Sequence, residues 1–182
     1  VIAMDEWGNA SEASNVAGTT TFVLAKIKVF LEGAYDASGD TMRTTLRQND
    51  LIPHSSPYAT AAKSITDIPL EIVDWIYVAT RREAQGANLS QQSFLLRKDG
   101  RIVENDGITE TIGLFGIEND NYFILVDHRN HILIMSHELI ALNNMLPDSV
   151  DFTEANAVYY GNEAKALTTS EPIKFGMLII SE

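Results

Sequence analysis

Between residues 124 and 137 the chain reads ILVDHRNHILIMSH, and three of its four histidines, His128, His131 and His137, lie in or beside that stretch. Imidazole nitrogens bind transition metals and exchange protons near neutral pH, so this is the first place to look for chemistry. Alternation limits what the cluster can do. In a strand that runs straight through, His128 and Asn130 share one face while Asp127, Arg129 and His131 share the other. The two nearest histidines then cannot grip one ion, and only a turn or bulge at Arg129-Asn130 brings them together. A metal also wants a third ligand, for which Asp127 and His137 are the nearest candidates. The plainer reading, which we favour at this level, has these side chains hydrogen-bonding loop backbone, with Arg129 paired to Asp127 or Glu138. Asp127, His128, Arg129, Asn130 and His131 together form a candidate binding surface.

A second constellation is EGAYDASGD. Asp36, Ser38 and Asp40, at i, i+2 and i+4, resemble the opening of a calcium loop, because alternate oxygens in a tight turn converge on one ion. The EF-hand pattern then needs glycine at its sixth position and glutamate at its twelfth, where this chain has Thr41 and Arg47. These three residues are therefore weak calcium candidates beside a simple Asx turn, and no cofactor is otherwise expected. No G-x-S-x-G, H-E-x-x-H or phosphate-cradling glycine loop occurs, and no carboxylate pair is singled out for acid–base work. The expectation is a protein that is not an enzyme. Trp7, Tyr35, Tyr58, Tyr159 and Tyr160 fall in or near loops and would make a stacking platform for sugars if two or three were exposed together.

Composition narrows the class. A hydrophobic content of 45% with 21% charged residues is ordinary for a globular domain of 182 residues. The net charge of −12 repels phosphate backbones and anionic headgroups, so neither nucleic acid nor a membrane surface is an expected partner. No apolar run approaches the ~20 residues that span a bilayer. There is no cysteine, which excludes disulfides, thiolate–zinc sites and a cysteine nucleophile. The chain begins at Val1 rather than methionine, consistent with a removed signal peptide or with a cut made elsewhere; secretion is the preferred reading.

The elements that must position these groups read mostly as strands. KIKVFLE alternates with one buried face, and EIVDWIYVATRR is the clearest strand. SFLLRKDGRIVEND carries a hairpin signature, with Asp99-Gly100 supplying the turn. YFILV, at 122–126, is apolar on both faces and predicts a central strand. TMRTTLRQNDLIP can hold a short helix over Thr41–Gln48, residues 49–69 read as a long ordered loop, and IKFGMLIISE predicts a last strand. The sum is an all-β, single-domain antiparallel β-sandwich, Greek-key and transthyretin- or immunoglobulin-like, with long loops. Residues 1–20 form an N-terminal arm and 21–182 the domain. Residues 27 to 142 look sufficient for the sandwich. The two ends are then free either to cover its own edges or to add a strand to a neighbour, with Phe22, Val23 and Leu24 as the candidate assembly strand.

Several motifs together, VFLEGAYDASGDTMRTTLR, LIPHSSPY, IPLEIVDWIYVATRR, SFLLRKDGRIV, NYFILVDHRNHILIMS and VDFTEANAVYYGN, resemble a module of large secreted bacterial multidomain proteins. LFGIENDNYFILVDHRNH is also similar to the G-x-Y-x-V-x-V strand of transthyretin-like surface modules. What the resemblance implies is an extracellular β-sandwich with no attached activity. The functional expectation is an extracellular structural module that assembles with copies of itself into a filament or surface layer by strand addition. The alternative is a carbohydrate-binding or adhesion module, with polysaccharide as partner.

Overall fold

The computed structural model describes residues 21–155, 157–158, 164–168 and 173–180. The arm over residues 1–20 lies outside them. In chain order the strands are β1 (Phe22–Lys28), β2 (Tyr35–Asp36), β3 (Thr41–Met42), β4 (Ile72–Arg81), β5 (Ser90–Arg97), β6 (Ile102–Val103), β7 (Ile112–Phe115), β8 (Asp120–Asp127), β9 (Ile134–Met135), β10 (Ile140–Leu142), β11 (Asp148–Asp151), β12 (Ala164–Ala166) and β13 (Phe175–Met177). The α-helix, α1, covers Thr45–Gln48. It is shorter than predicted because Thr41 and Met42 pair with Asp36 and Tyr35 in a hairpin.

The chain is mostly β, built on a curled antiparallel half-barrel sheet with small sheets beside it. In the large sheet the order is β10-β8-β4-β5-β6, with β9 also on β8. As predicted for residues 122–126, β8 is central; β4, read from the sequence as the clearest strand, is central too, with nine of its ten residues buried. The turn between β5 and β6 places Gly100 at φ 88, where a Cβ would lie 3.0 Å from the Val29 carbonyl oxygen. Glycine there is thus required twice, by conformation and by space.

One face of the curled sheet, with Ile76, Val78, Phe94, Ile124 and Val126, shares a core with Val23, Ala25 and Ile27 of β1. The opposite face carries Trp75, Tyr77 and Leu125. The long loop 49–69 covers that face with Ile52, Tyr58, Ile65 and Ile68. The loop is therefore a layer of the fold, anchored where the Trp75 indole donates to the Pro53 carbonyl at 2.7 Å.

Both ends of the described chain are built in, contrary to the expectation that residues 27 to 142 suffice. β1 is the centre of a small sheet, antiparallel to β7 and parallel to β11, so the fold is not wholly antiparallel. Bridges from Leu24 to Asn143 and from Lys28 to Arg101 tie β1 to segments next to β10 and β6, the two edges of the curled sheet. At the other end, Met177 pairs with Leu31 and Ile179 with His131. The segment 177–180 thus lies between the 30–32 strip and the turn after β8.

Candidate functional site

Asp74 is the unusual residue of β4. It follows a register shift between Ile72 and Asp74, which turns Val73 toward the core and sets the carboxylate among apolar neighbours, with no exposure. A buried carboxylate needs partners. Its Oδ1 accepts the Trp75 amide at 2.9 Å; its Oδ2 accepts Arg129 Nη2 at 2.6 Å and His128 Nε2 at 3.2 Å. Burial alone pushes this carboxyl up, but the hydrogen bond from His128 and the charges of Arg129 and His128 overcome it and hold it below the usual range.

These partners arrive on a turn. β8 ends at Asp127, and the His131 amide donates to the His128 carbonyl at 2.9 Å across Arg129-Asn130. The chain then returns as β9, with Ile134 opposite Val126. The straight strand that would separate the histidines is therefore absent, and their rings meet edge to face at 4.8 Å. Arg129 pairs with Asp74 rather than with Asp127 or Glu138. Asp127 points away on the other face, its carboxyl raised by burial. The Tyr58 hydroxyl clasps the turn from the long loop, donating to the Asp127 carbonyl at 3.3 Å and accepting the Arg129 amide at 3.2 Å.

The hydrogen bonds fix where the imidazole protons sit. His128 Nε2 faces a carboxylate and must carry hydrogen. His128 Nδ1 receives the Asn130 amide at 3.3 Å, which makes it an acceptor. The His131 Nδ1 beside it, at 2.9 Å, must then be the donor. That leaves Nε2 of His131, itself only 6% exposed, as a bare acceptor that no group among the described residues reaches. Leaving such an atom unbonded costs about 1–3 kcal/mol. Burial, and then the neighbouring His128, push the His131 imidazole down to about 4, so the lone pair is free at neutral pH.

Both histidines line a cleft of about 420 Å³, with Leu31, Ala34, Val73 and Ile179 among its apolar walls. Comparison of the chain with protein-family models, curated proteins and solved structures finds no match. No group of three or more His, Asp or Glu among the described residues is placed to hold a metal. His137 is exposed and its amide is bonded to the Ala157 carbonyl, outside the cluster.

The other candidates fall elsewhere. Asp36 Oδ1 accepts the amide and hydroxyl of Ser38 at 3.0 and 2.7 Å, and Asp40 accepts the Tyr35 hydroxyl at 2.8 Å. Asp36 is thus used in an Asx turn and Asp40 in a bond from a tyrosine. Among the described tyrosines and tryptophans, Tyr35, Trp75, Tyr77 and Tyr122 are buried and Tyr58 is half-buried against Tyr77; Trp7, Tyr159 and Tyr160 lie outside the described residues. Phe22, Val23 and Leu24 pair in-chain with Phe115, Leu114 and Gly113. The Phe22 and Phe115 rings lie 5.9 Å apart and remain 37% and 49% exposed.

Sequence reasoning missed Asp74, Tyr58 and Ile179 as parts of one site. A signal existed for Asp74: a charged residue inside an apolar strand demands a buried partner of opposite charge or a donor.

Proposed function

We propose that this chain is an extracellular structural and adhesive module of a secreted bacterial protein, without chemistry of its own, that associates with copies of itself. Supporting this reading is the exposed Phe22–Phe115 pair on the small sheet. Leu146 and Met145, 73% and 82% exposed, follow the Asn143 that bridges to Leu24. Apolar side chains gathered at one place on a surface favour burial against a partner. With the β1 backbone already paired on both sides, association proceeds through these side chains more readily than through donation of β1. The finer fold, a Greek-key β-sandwich of transthyretin or immunoglobulin type, belongs to the same proposal. It draws support from the core shared between the curled sheet and the β1 sheet.

Sedimentation velocity over a range of concentrations, with electron microscopy of the largest species, tests it. Particles that grow with concentration are expected, and Phe22→Ser with Phe115→Ser should reduce them to monomer without loss of fold. A chain that stays monomeric at the highest concentrations overturns the reading.

A further inference from the structure

We infer that copies of this chain join head to tail, the Met145–Leu146 turn of one copy seating in the apolar cleft beside Ile179 of the next. The inference rests on the self-association proposed above and names the two surfaces that meet. The turn is built to present its side chains, which are 82% and 73% exposed. Asn143 Oδ1 accepts the amides of Met145 and Leu146 at 2.9 and 2.8 Å, and Asn119 Oδ1 accepts the Asn144 amide at 3.0 Å. A backbone fixed in advance loses little freedom on binding, so these two side chains make an effective anchor. The receiving cleft holds about 420 Å³ between Leu31, Ala34, Leu46, Val73 and Ile179, room for two aliphatic side chains. It opens to the surface where Gly33, Thr45 and Ile179 are exposed.

Turn and cleft lie at opposite ends of the fold. The register of β10 on β8 sets Leu142 against Asp120, so Asn143 and the turn lie beyond the first residue of β8. β8 then runs its eight residues to Asp127, and the next residue, His128, lines the cleft. β1 covers the same interval, from Phe22 beside Phe115 towards Leu31 in the cleft wall. Eight residues of strand put about 25 Å between the two ends, so the turn does not reach the cleft of its own copy. A contact between different surfaces at opposite ends repeats along the strand direction instead of closing on itself, which gives a filament.

Charge favours the cleft over a second copy of the turn. Asp148, two residues after Leu146, is exposed; it accepts the Ser149 amide at 2.7 Å and has no ion pair among the described residues. Arg43 lines the cleft, is exposed, and donates to the Gly33 and Tyr35 carbonyls at 2.8 and 3.4 Å, again with no ion pair among the described residues. Turn against turn would set Asp148 beside its own counterpart in a chain of net charge −12. Turn against cleft brings a carboxylate to a guanidinium that lacks one. Opposite charges fix the register of a contact, and like charges reject the wrong pairing.

The test mixes two variants of the full chain and follows them by sedimentation velocity. Leu146→Asp spoils the turn and keeps the cleft. A Cβ at Gly33 would meet the Ile179 side chain at 3.4 Å, an ordinary contact, so Gly33→Leu fills the cleft and keeps the turn. Each variant alone should stay monomeric where the unmodified chain grows. Mixed in equal amounts they should form dimers and nothing larger, since one intact turn meets one intact cleft. Arg43→Asp probes the same contact without filling the cleft: it should weaken growth about tenfold, and Asp148→Arg in the same chain should restore it. Growth that persists in either single variant, or a mixture that stays monomeric, would overturn the contact. If that growth is still lost in the Phe22→Ser, Phe115→Ser chain, self-association stands and only this contact falls. An unmodified chain that stays monomeric removes both.

Discussion

Arg129, in an exposed turn, reaches a carboxylate 55 residues earlier in the chain, its Nη2 lying 2.6 Å from Asp74 Oδ2 at the floor of the curled sheet. This pair, with His128 on the same oxygen, holds the turn after β8 against β4. Removing the buried partner leaves a guanidinium and an imidazole N–H with nothing to donate to. Asp74→Ala is therefore expected to cost about 3 kcal/mol in urea unfolding, the lower end of the usual range because the arginine remains partly in water. Arg129→Ala should cost less than Asp74→Ala, since His128 and the Trp75 amide still serve the carboxylate.

Acid should weaken the fold through His131 before it reaches Asp74. An unfolded imidazole takes its proton near pH 6.5, whereas this one holds out to about 4 in the fold. Between those values the unfolded chain binds more protons, so stability falls as pH drops from 6.5 toward 4. Asp74, whose carboxyl is lowered, loses its contribution only below the ordinary carboxyl range. Thermal melts between pH 7 and 4.5 should show the decline, and His131→Phe should flatten it. A His131→Phe profile parallel to the unmodified one would remove the assignment.

Tyr58→Phe deletes only the hydroxyl that bridges the Asp127 carbonyl and the Arg129 amide. The expected cost is about 1 kcal/mol. Hydrogen exchange supplies the sharper reading: the Arg129 amide should exchange faster while amides in β4 keep their protection.

β1 should prove integral to the core. Ile27→Ala, at a position 2% exposed, is expected to cost about 2–5 kcal/mol. Lys26→Ala, on the outer face of the same strand, should stay within about 0.5 kcal/mol. Equal small effects at the two positions would mean that β1 is dispensable.

What could be read from the chain followed from local signals. β8 announced itself by apolar residues on both faces, β4 by its strand alternation, and the hairpin of β5 and β6 by Asp99-Gly100. The parallel pairing of β1 with β11 joins residues more than a hundred positions apart and leaves no local trace, so the role of β1 stayed hidden. Alternation predicted opposite faces for His128 and His131 and named Arg129-Asn130 as the place where a turn would reverse that. The sequence alone could not choose, because the pull on the turn comes from Asp74 and Tyr58. Ile179 entered the site from the far end for the same reason: apolarity marks a residue for burial without saying where.

The segment 175–180 gives the site a position in time. The Ile179 amide donates to Glu32 Oε2 across 147 residues, while Ile132 and Asn130 pair with Leu178 and Ile180. Whatever folds first along the chain, the wall that Ile179 supplies arrives after nearly everything it leans on has been made. Contacts of such long span form late and slowly. A newly made chain should therefore pass through a stage in which His131 lies open to water and takes up protons readily, becoming a buried acceptor only when that last segment docks.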